Sequence, residues 1–188
     1  FFNQHKVKVF SSNYPLYGDM SRRVMDVLKQ FTPLVEIYSI DEAFLQLEGF
    51  EHYDLEEYAR EIKKRVGKWT GMPVSIGLGP SKALAKVANR VAKKFADRTG
   101  GVYVIDSEEK RIKALKWLAI GDVWGIGHRH NKRLVFRQVH TAYDFTQLSD
   151  AWVRKEMSVV GLRLKHDLLG KPSIPLEMIA APKKAIAT

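Results

Sequence analysis

Two adjacent carboxylates, Asp41 and Glu42, stand in the middle of an apolar, β-branched stretch that runs from Val35 to Leu47. At the end of a sheet, mutual repulsion and burial would raise the pKa values of such a pair unless a cation neutralised them. Mg²⁺ is the simplest such cation, because it prefers oxygen ligands and is commonly shared with substrate phosphates. The pair therefore predicts a magnesium site for phosphoryl or nucleotidyl transfer.

The same stretch predicts a β-hairpin to position the two acids. Apolar residues before the acids and the run 43–47 after them form two short strands, joined by a tight connection at residues 39–42. A simpler interpretation of the acids is that Asp41 only makes the turn and Glu42 is solvated. The stretch alone leaves both interpretations open.

Three lysines recur on one face of a helix that Ser81 is expected to cap. Lys82, Lys86 and Lys93, with Asn89 between them, follow one another at helical spacing, opposite the apolar face. Lysines lined up beside a strand end could bind phosphates as point charges. A solvated helix face would show the same pattern.

A second group of candidate residues lies in the C-terminal half. Gly125, Ile126 and Gly127 separate two short predicted helices, and the second helix carries Arg129 and Lys132. A Gly-apolar-Gly turn can present backbone N–H groups and a helix N-terminus to a phosphate without reading sequence. A plain interhelical turn is the alternative, but the basic residues that follow favour a helix-hairpin-helix contact with DNA.

The charge of the 188-residue chain is uneven. Residues 1–80 carry 10 basic and 11 acidic side chains, whereas residues 81–188 carry 21 and 10, and the net charge is +10. Nucleic acid is the expected partner of the second part, with an ordinary basic surface as the alternative. The absence of cysteine excludes disulfides and thiolate metal sites. No apolar run reaches the roughly 20 residues that span a bilayer and no signal peptide opens the chain, so a cytoplasmic protein without a membrane partner is expected.

The order of predicted elements indicates the fold class. A strand at 6–11, helices from Tyr14 and from Asp54, the hairpin, a strand at 74–78, the lysine helix and a strand at 102–105 alternate along the first part. Such alternation predicts a sheet with helices on a face, in an α/β or α+β arrangement. From about Leu118 only short helices are predicted, including helices at 149–156 and 158–169, before a Pro- and Lys-rich end.

Four motifs occur in one order along the chain: residues 10–14 (FSSNY), 38–44 (YSIDEAF), 81–89 (SKALAKVAN) and 122–127 (DVWGIG). Together they closely resemble the Y-family translesion DNA polymerases, most of all their bacterial SOS mutagenesis branch. The resemblance implies an α+β fold in which residues 1–106 are an incomplete polymerase palm, a mixed or antiparallel sheet with helices on one face. Residues 107–170 would be a small all-α thumb with the helix-hairpin-helix, and residues 171–188 a linker toward a little finger domain that is absent.

The resemblance also implies roles for the candidate residues. Asp41 would bridge both catalytic Mg²⁺ ions, Glu42 would bind the ion that activates the primer 3′-hydroxyl, and Lys93 would touch the incoming triphosphate. The residues expected to contact DNA are Lys82, Lys86, Gly125, Ile126, Gly127, Arg129 and Lys132. The implied substrates are primer-template DNA and deoxynucleoside triphosphates. The implied partners are a processed regulatory subunit, a recombinase filament and a sliding clamp, at the bacterial nucleoid.

The chain departs from the family pattern in two ways. The family's first metal-binding Asp, steric-gate aromatic and fingers would precede residue 6, and the chain opens at Phe1, so a piece of an error-prone polymerase that is inactive by itself is expected. Gln138 stands where glycine commonly ends the helix. A non-catalytic DNA-binding module remains an alternative. Another palm-type enzyme, such as a nucleotide cyclase, is a further alternative, although it would have no need of a basic hairpin.

Overall fold

The structure, a computed structural model, describes residues 2, 4–50 and 52–178. An α+β part is followed by a helical part, as the sequence predicts. The elements in chain order are α1 (Tyr14–Leu28), β1 (Val35–Ile37), β2 (Ala43–Leu45), α2 (Leu55–Thr70), β3 (Ile76–Leu78), α3 (Lys82–Lys94), α4 (Ala96–Thr99), β4 (Val102–Val104), α5 (Glu108–Trp117), a 3₁₀ turn (Ile120–Asp122), α6 (His128–Phe136), α7 (Ala142–Thr146) and α8 (Asp150–Leu168).

The strands form two small sheets. β1 and β2 pair antiparallel, as the predicted hairpin requires, and β3 and β4 pair in parallel. Among the described residues, β2 and β3 each pair on one side only. Helix α3 lies directly on β3, because Gly77 has no side chain: a Cβ there would lie 2.0 Å from the backbone nitrogen of Asn89. The helix that carries the lysines is therefore seated against the sheet.

Polar caps start the helices where the sequence predicts them. The Asp54 side chain accepts hydrogen bonds from two backbone N–H groups at the start of α2, and Ser81 caps α3 in the same way. Such caps satisfy donors that the first turn of a helix leaves unpaired. Helix α2 ends at Gly71, which takes the left-handed backbone conformation at φ 70°.

One continuous apolar core joins α3 to the helical part. Leu84 of α3, Leu115 of α5 and Phe145 of α7 are fully buried within it. A smaller cluster packs Phe31 against α2. The boundary predicted at residue 106 therefore falls inside the larger core, between residues that pack together. None of the helices in the described part of the chain is long and apolar enough to cross a membrane.

The strand predicted at residues 6–11 is wrong. These residues form no strand, and Val9 and Phe10 are 73% and 84% exposed. Alternation of charged and apolar residues favours a strand. A strand also needs a neighbouring strand, however, and none of the described strands pairs with this segment.

The C-terminal elements agree more closely with the sequence. Helix α8 runs from Asp150 to Leu168, but Ser158 inside it has φ 64° and ψ −170°, so the chain breaks where two helices were predicted to meet. Residues 171–178 of the predicted linker contain no helix or strand. They pack back on the protein, since Ser173 donates its backbone N–H to Asp167 at 2.7 Å. Residues 179–188 lie outside the described residues.

Gln138 occupies the left-handed conformation that the family pattern reserves for glycine, with φ 61°. Because a side chain is strained there, we expect Gln138→Gly to raise the free energy of unfolding by about 1 kcal/mol. Urea unfolding followed by circular dichroism measures it. The matched control is Gln147→Gly, since Gln147 ends α7 with φ −85°. Equal effects of the two substitutions would contradict the prediction.

Candidate functional site

The connection between β1 and β2 places the acidic pair at the end of the hairpin. The backbone N–H groups of Tyr38 and Ser39 both donate to the carbonyl of Glu42 at 3.0 Å. The Ser39 hydroxyl donates to the Asp41 carboxylate at 2.6 Å, which orients that side chain. Asp41 is exposed and Glu42 is half-buried. Backbone hydrogen bonds close the turn without using the Asp41 carboxylate. Because Asp41 is also exposed, its carboxylate is accessible for binding.

One cleft of about 410 Å³ collects most of the predicted catalytic residues. Asp41, Glu42, Lys86, Asn89 and Lys93 all line it, and its other walls come from β2 and β3. A second cavity of about 430 Å³ adjoins Asp41 on the side of α1 and is lined largely by apolar side chains. The structure thus brings the predicted metal-binding acids and the predicted triphosphate-binding lysine to one opening.

Lys86 and Glu42 form an ion pair within this cleft. The ammonium nitrogen of Lys86 lies 2.5 Å from one Glu42 carboxylate oxygen, and the two side chains are 22% and 38% exposed. The same ammonium lies 5.6 Å from the centroid of the Tyr38 ring. Lys86, predicted to contact DNA, is here a cation bound to one of the two predicted metal ligands.

Lys82 lies in a different environment. Its ammonium contacts both carboxylate oxygens of Glu36 at 2.7 and 2.9 Å, and the two side chains are only 9% and 5% exposed. It also lies 4.7 Å from the centroid of the Phe44 ring. A lysine so enclosed and paired does not present its charge to a DNA phosphate, so the geometry favours a structural role over the predicted DNA contact.

Glu36 is a residue that the sequence reasoning missed. Besides Lys82, it accepts the backbone N–H of Glu177 at 2.7 Å, while the Lys82 ammonium donates to the carbonyl of Pro175 at 3.2 Å. The C-terminal segment thus crosses the hairpin at this pair. A charged residue inside the apolar strand Val35–Ile37 was the available signal, because a buried acid needs a partner.

Aromatic contacts join the acidic hairpin to the glycine hairpin. The indole N–H of Trp124 donates to the Tyr38 hydroxyl at 3.1 Å, and the two rings lie 5.7 Å apart. Phe44 packs on both rings at 5.6 and 5.8 Å. An ion pair at 2.6 Å links Arg90 of α3 to Asp122 beside the same turn. Tyr38 and Trp124 directly adjoin the two predicted motifs, but only the structure shows that they meet.

The glycine hairpin leaves the N-terminus of α6 exposed. Gly125 has φ 85°, and buried Ile126 anchors the turn in the core. Gly127 starts α6 without a side-chain cap, and a Cβ built there would meet no atom within 4 Å. Arg129 and Lys132 are exposed on the first turns of α6. The backbone N–H groups at this end of α6 are therefore open to an anion.

The residues present fit part of a magnesium shell. Asp41 and Glu42 offer the oxygen donors that Mg²⁺ prefers, and the ammonium of Lys86 already stands as a cation on Glu42. Within residues 2, 4–50 and 52–178, however, no group of three or more acidic, histidine or cysteine side chains is placed to hold a metal. The two carboxylates can thus supply two ligands, and further ligands must come from phosphates, water or other residues.

Comparison with known proteins shows which sequences and folds this chain resembles. Residues 3–90 match the impB/mucB/samB family. The structure superposes on a DinB family error-prone DNA polymerase from Sulfolobus solfataricus with a TM-score of 0.73 and 25% identity, covering 94% of this chain and 53% of that chain. The insertion ternary complex of Dbh DNA polymerase also matches with a TM-score of 0.73 and 25% identity, over 94% of this chain and 51% of that chain. The resemblance to the Y-family polymerases is confirmed over the length that the chain shares with them.

Several individual proteins resemble the chain in sequence. The chain is 41% identical to Protein UmuC of Salmonella typhimurium over 98% of its length, which is 44% of that protein. It is 33% identical to Protein MucB of Escherichia coli over 97% of its length, again 44% of that protein. DNA polymerase IV of Moorella thermoacetica is 34% identical over 81% of the chain and 37% of that protein. The chain spans less than half the length of these relatives.

The buried pair of Lys82 and Glu36 gives a stability prediction. Lys82→Met leaves a buried carboxylate unpaired, so we expect it to lower the free energy of unfolding by about 3–5 kcal/mol. Adding Glu36→Gln should recover much of that loss, because the amide oxygen can still accept the Glu177 N–H. Urea unfolding measures both, with Lys64→Met at an exposed position of α2 as the control. If Lys82→Met lowered the free energy of unfolding no more than Lys64→Met does, the Lys82 ammonium would be free to contact DNA.

Proposed function

We propose that the chain supplies the carboxylate hairpin and the DNA-holding hairpin of a Y-family DNA polymerase that extends primers across damaged template. One observation carries the proposal: Asp41, Glu42 and Lys93 line a single cleft, and the acidic hairpin is joined to a basic helix-hairpin-helix. The impB/mucB/samB match and the relatives named as DNA polymerases support it.

Asp41 and Glu42 would hold Mg²⁺ in this cleft. Bound Mg²⁺ would lower the pKa of the attacking primer 3′-hydroxyl and stabilise the charge of the leaving pyrophosphate. The protein contributes orientation, since the Ser39 hydroxyl and the closed turn hold the Asp41 carboxylate in place. Preorganised charges of this kind need little rearrangement when the transition state forms.

Lys93 supports the nucleotide end of the reaction. It is exposed at the last turn of α3 and lines the same cleft as the two acids. An ammonium group there can neutralise phosphate oxygens of a deoxynucleoside triphosphate as a point charge. The primer-template would be held farther along, by the N–H groups after Gly125 and by Arg129 and Lys132. Contacts of that kind position DNA without reading its sequence.

The site needs a further strand for full activity. β2 and β3 both border the cleft, and each has one edge that pairs with no described residue. Free strand edges readily accept another strand. From the resemblance to the Y-family polymerases, we infer that the complete site includes a further metal-binding Asp, and a strand paired with one of these edges could carry it. By itself the chain would then have little or no polymerase activity.

The wider setting of the activity is also proposed from the resemblance. Such polymerases imply a processed regulatory subunit, a recombinase filament and a sliding clamp as partners, in the bacterial cytoplasm at the nucleoid. A non-catalytic DNA-binding module is the second candidate function, favoured by the open N-terminus of α6. A nucleotide cyclase would share the paired acids but would not use Arg129 and Lys132.

DNA binding by the chain itself is testable directly. We expect primer-template DNA to bind with an affinity that falls steeply with salt, because lysines and arginines displace counterions. Replacing Arg129 and Lys132 by alanine should reduce the slope of log K against log salt by about two. Fluorescence anisotropy measures the slope. Alanine at Lys64 and Lys68 removes the same charge from α2 and should leave the slope unchanged. No binding at low salt would reject the DNA-binding module.

Catalysis is testable in a chimera. The aligned segment of this chain would replace its counterpart in DNA polymerase IV of Moorella thermoacetica, which it matches over 156 residues. We expect the chimera to extend a primer with Mg²⁺. Asp41→Asn or Glu42→Gln should lower the rate at least about 100-fold, because each removes a charge that the transition state needs. Glu48→Gln, an exposed acid just after the hairpin, is the control. A folded chimera that keeps its rate without both acids would overturn the polymerase assignment.

A further inference from the structure

The lysines of α3 meet the acidic hairpin in three different ways. The Lys82 side chain is nearly buried against Glu36. The Lys86 side chain, 22% exposed, contacts Glu42, and Lys93 is exposed in the cleft. Only the pair of Lys86 and Glu42 involves one of the two proposed metal ligands. Its ammonium lies 2.5 Å from one carboxylate oxygen of Glu42.

We propose that Lys86 is an exchangeable counter-ion for Glu42. Without metal its ammonium neutralises the Glu42 carboxylate, and when a divalent cation binds Asp41 and Glu42 the ammonium leaves and binds the triphosphate of the nucleotide. This inference rests on the proposed function and assigns Lys86 a task in it. Lys86 therefore serves the metal site and the nucleotide instead of the DNA backbone.

Electrostatics favours the exchange. The Glu42 side chain is 38% exposed, so it is accessible from solvent. A divalent ion that bridges two carboxylates carries twice the charge of an ammonium group that touches one of them. In return, a divalent ion near Lys86 repels the ammonium group. The freed charge then lies in a cleft where the substrate brings several negative oxygens.

The seating of α3 permits this movement without displacing the helix. The buried pair at Lys82 anchors one end of the helix to β1. Asn89 anchors its middle, because the Ser75 hydroxyl donates to the Asn89 side chain at 2.8 Å. Lys86 lies between these two contacts. Its flexible four-carbon side chain lets the ammonium move while the backbone stays in place. Lys86 and Lys93, seven residues apart, share one helix face toward the cleft.

The first test measures Mn²⁺ binding by the 188-residue chain, with free Mn²⁺ followed by electron paramagnetic resonance at constant ionic strength. Lys86→Met removes the competing cation, so we expect Mn²⁺ to bind about fivefold more tightly than in the control Lys93→Met. The control loses the same charge from the same cleft but leaves the partner of Glu42 in place. Lys86→Arg keeps the pair and should bind Mn²⁺ no more tightly than the unmodified chain.

The second test follows the ammonium group itself. Acetic anhydride labelling, read by mass spectrometry, should modify Lys86 faster when Mn²⁺ is added, with Lys93 as the internal reference. The increase should vanish in the variant with Asp41→Asn and Glu42→Gln. Inorganic triphosphate, added with Mn²⁺, should bind more weakly to Lys86→Met than to the unmodified chain.

The outcomes distinguish the exchange at Lys86 from the metal site of the proposed function. Mn²⁺ binding that depends on Asp41 and Glu42, with tighter binding in Lys86→Met than in Lys93→Met, supports the exchange. Acid-dependent binding with equal affinities in those two variants and unchanged Lys86 labelling overturns the exchange and leaves the proposed function standing. If Asp41→Asn and Glu42→Gln leave Mn²⁺ binding unchanged, both the metal site and the exchange are overturned.

Discussion

The ion pair between Lys82 and Glu36 holds the lysine helix against the acidic hairpin. Both side chains are nearly buried, and the carboxylate also accepts a backbone N–H from the C-terminal segment. Burying two charges is costly, so such a pair contributes orientation more than net stability. Its consequence is geometric: the pair ties the start of α3 to β1, and one turn farther along the helix Lys86 lies next to Glu42.

The lysines along this face of α3 differ in exposure. The pair of Lys82 and Glu36 is nearly buried and does not line the cleft, the pair of Lys86 and Glu42 is partly exposed, and Lys93 is exposed. The Glu42 side chain is 38% exposed and open to solvent, whereas the Glu36 side chain is 5% exposed and enclosed by its partners. The same residue type therefore performs different tasks along a single helix face, and burial rather than identity distinguishes them.

The acidic hairpin and the glycine hairpin are held as one unit by two kinds of contact. Apolar packing runs from α3 through α5, α7 and α8, and the rings of Tyr38, Phe44 and Trp124 close the surface side. A displacement of the glycine hairpin would thus be felt at the turn that carries Asp41. Such coupling suits the proposed function, in which the DNA-holding hairpin and the two acids must keep a constant separation.

Local chemistry determined a large part of this protein from the sequence. The hairpin, the caps at Asp54 and Ser81, the lysine face and the break near Ser158 depend on neighbours within a few residues, and all were predictable. The strand at 6–11 was not, because strand formation depends on a partner that may be distant in sequence. The same reason separates the lysines of α3. Their spacing was visible in the sequence, but only the tertiary structure brought Glu36 and Glu42 to Lys82 and Lys86, since those contacts join residues 46 and 44 positions apart.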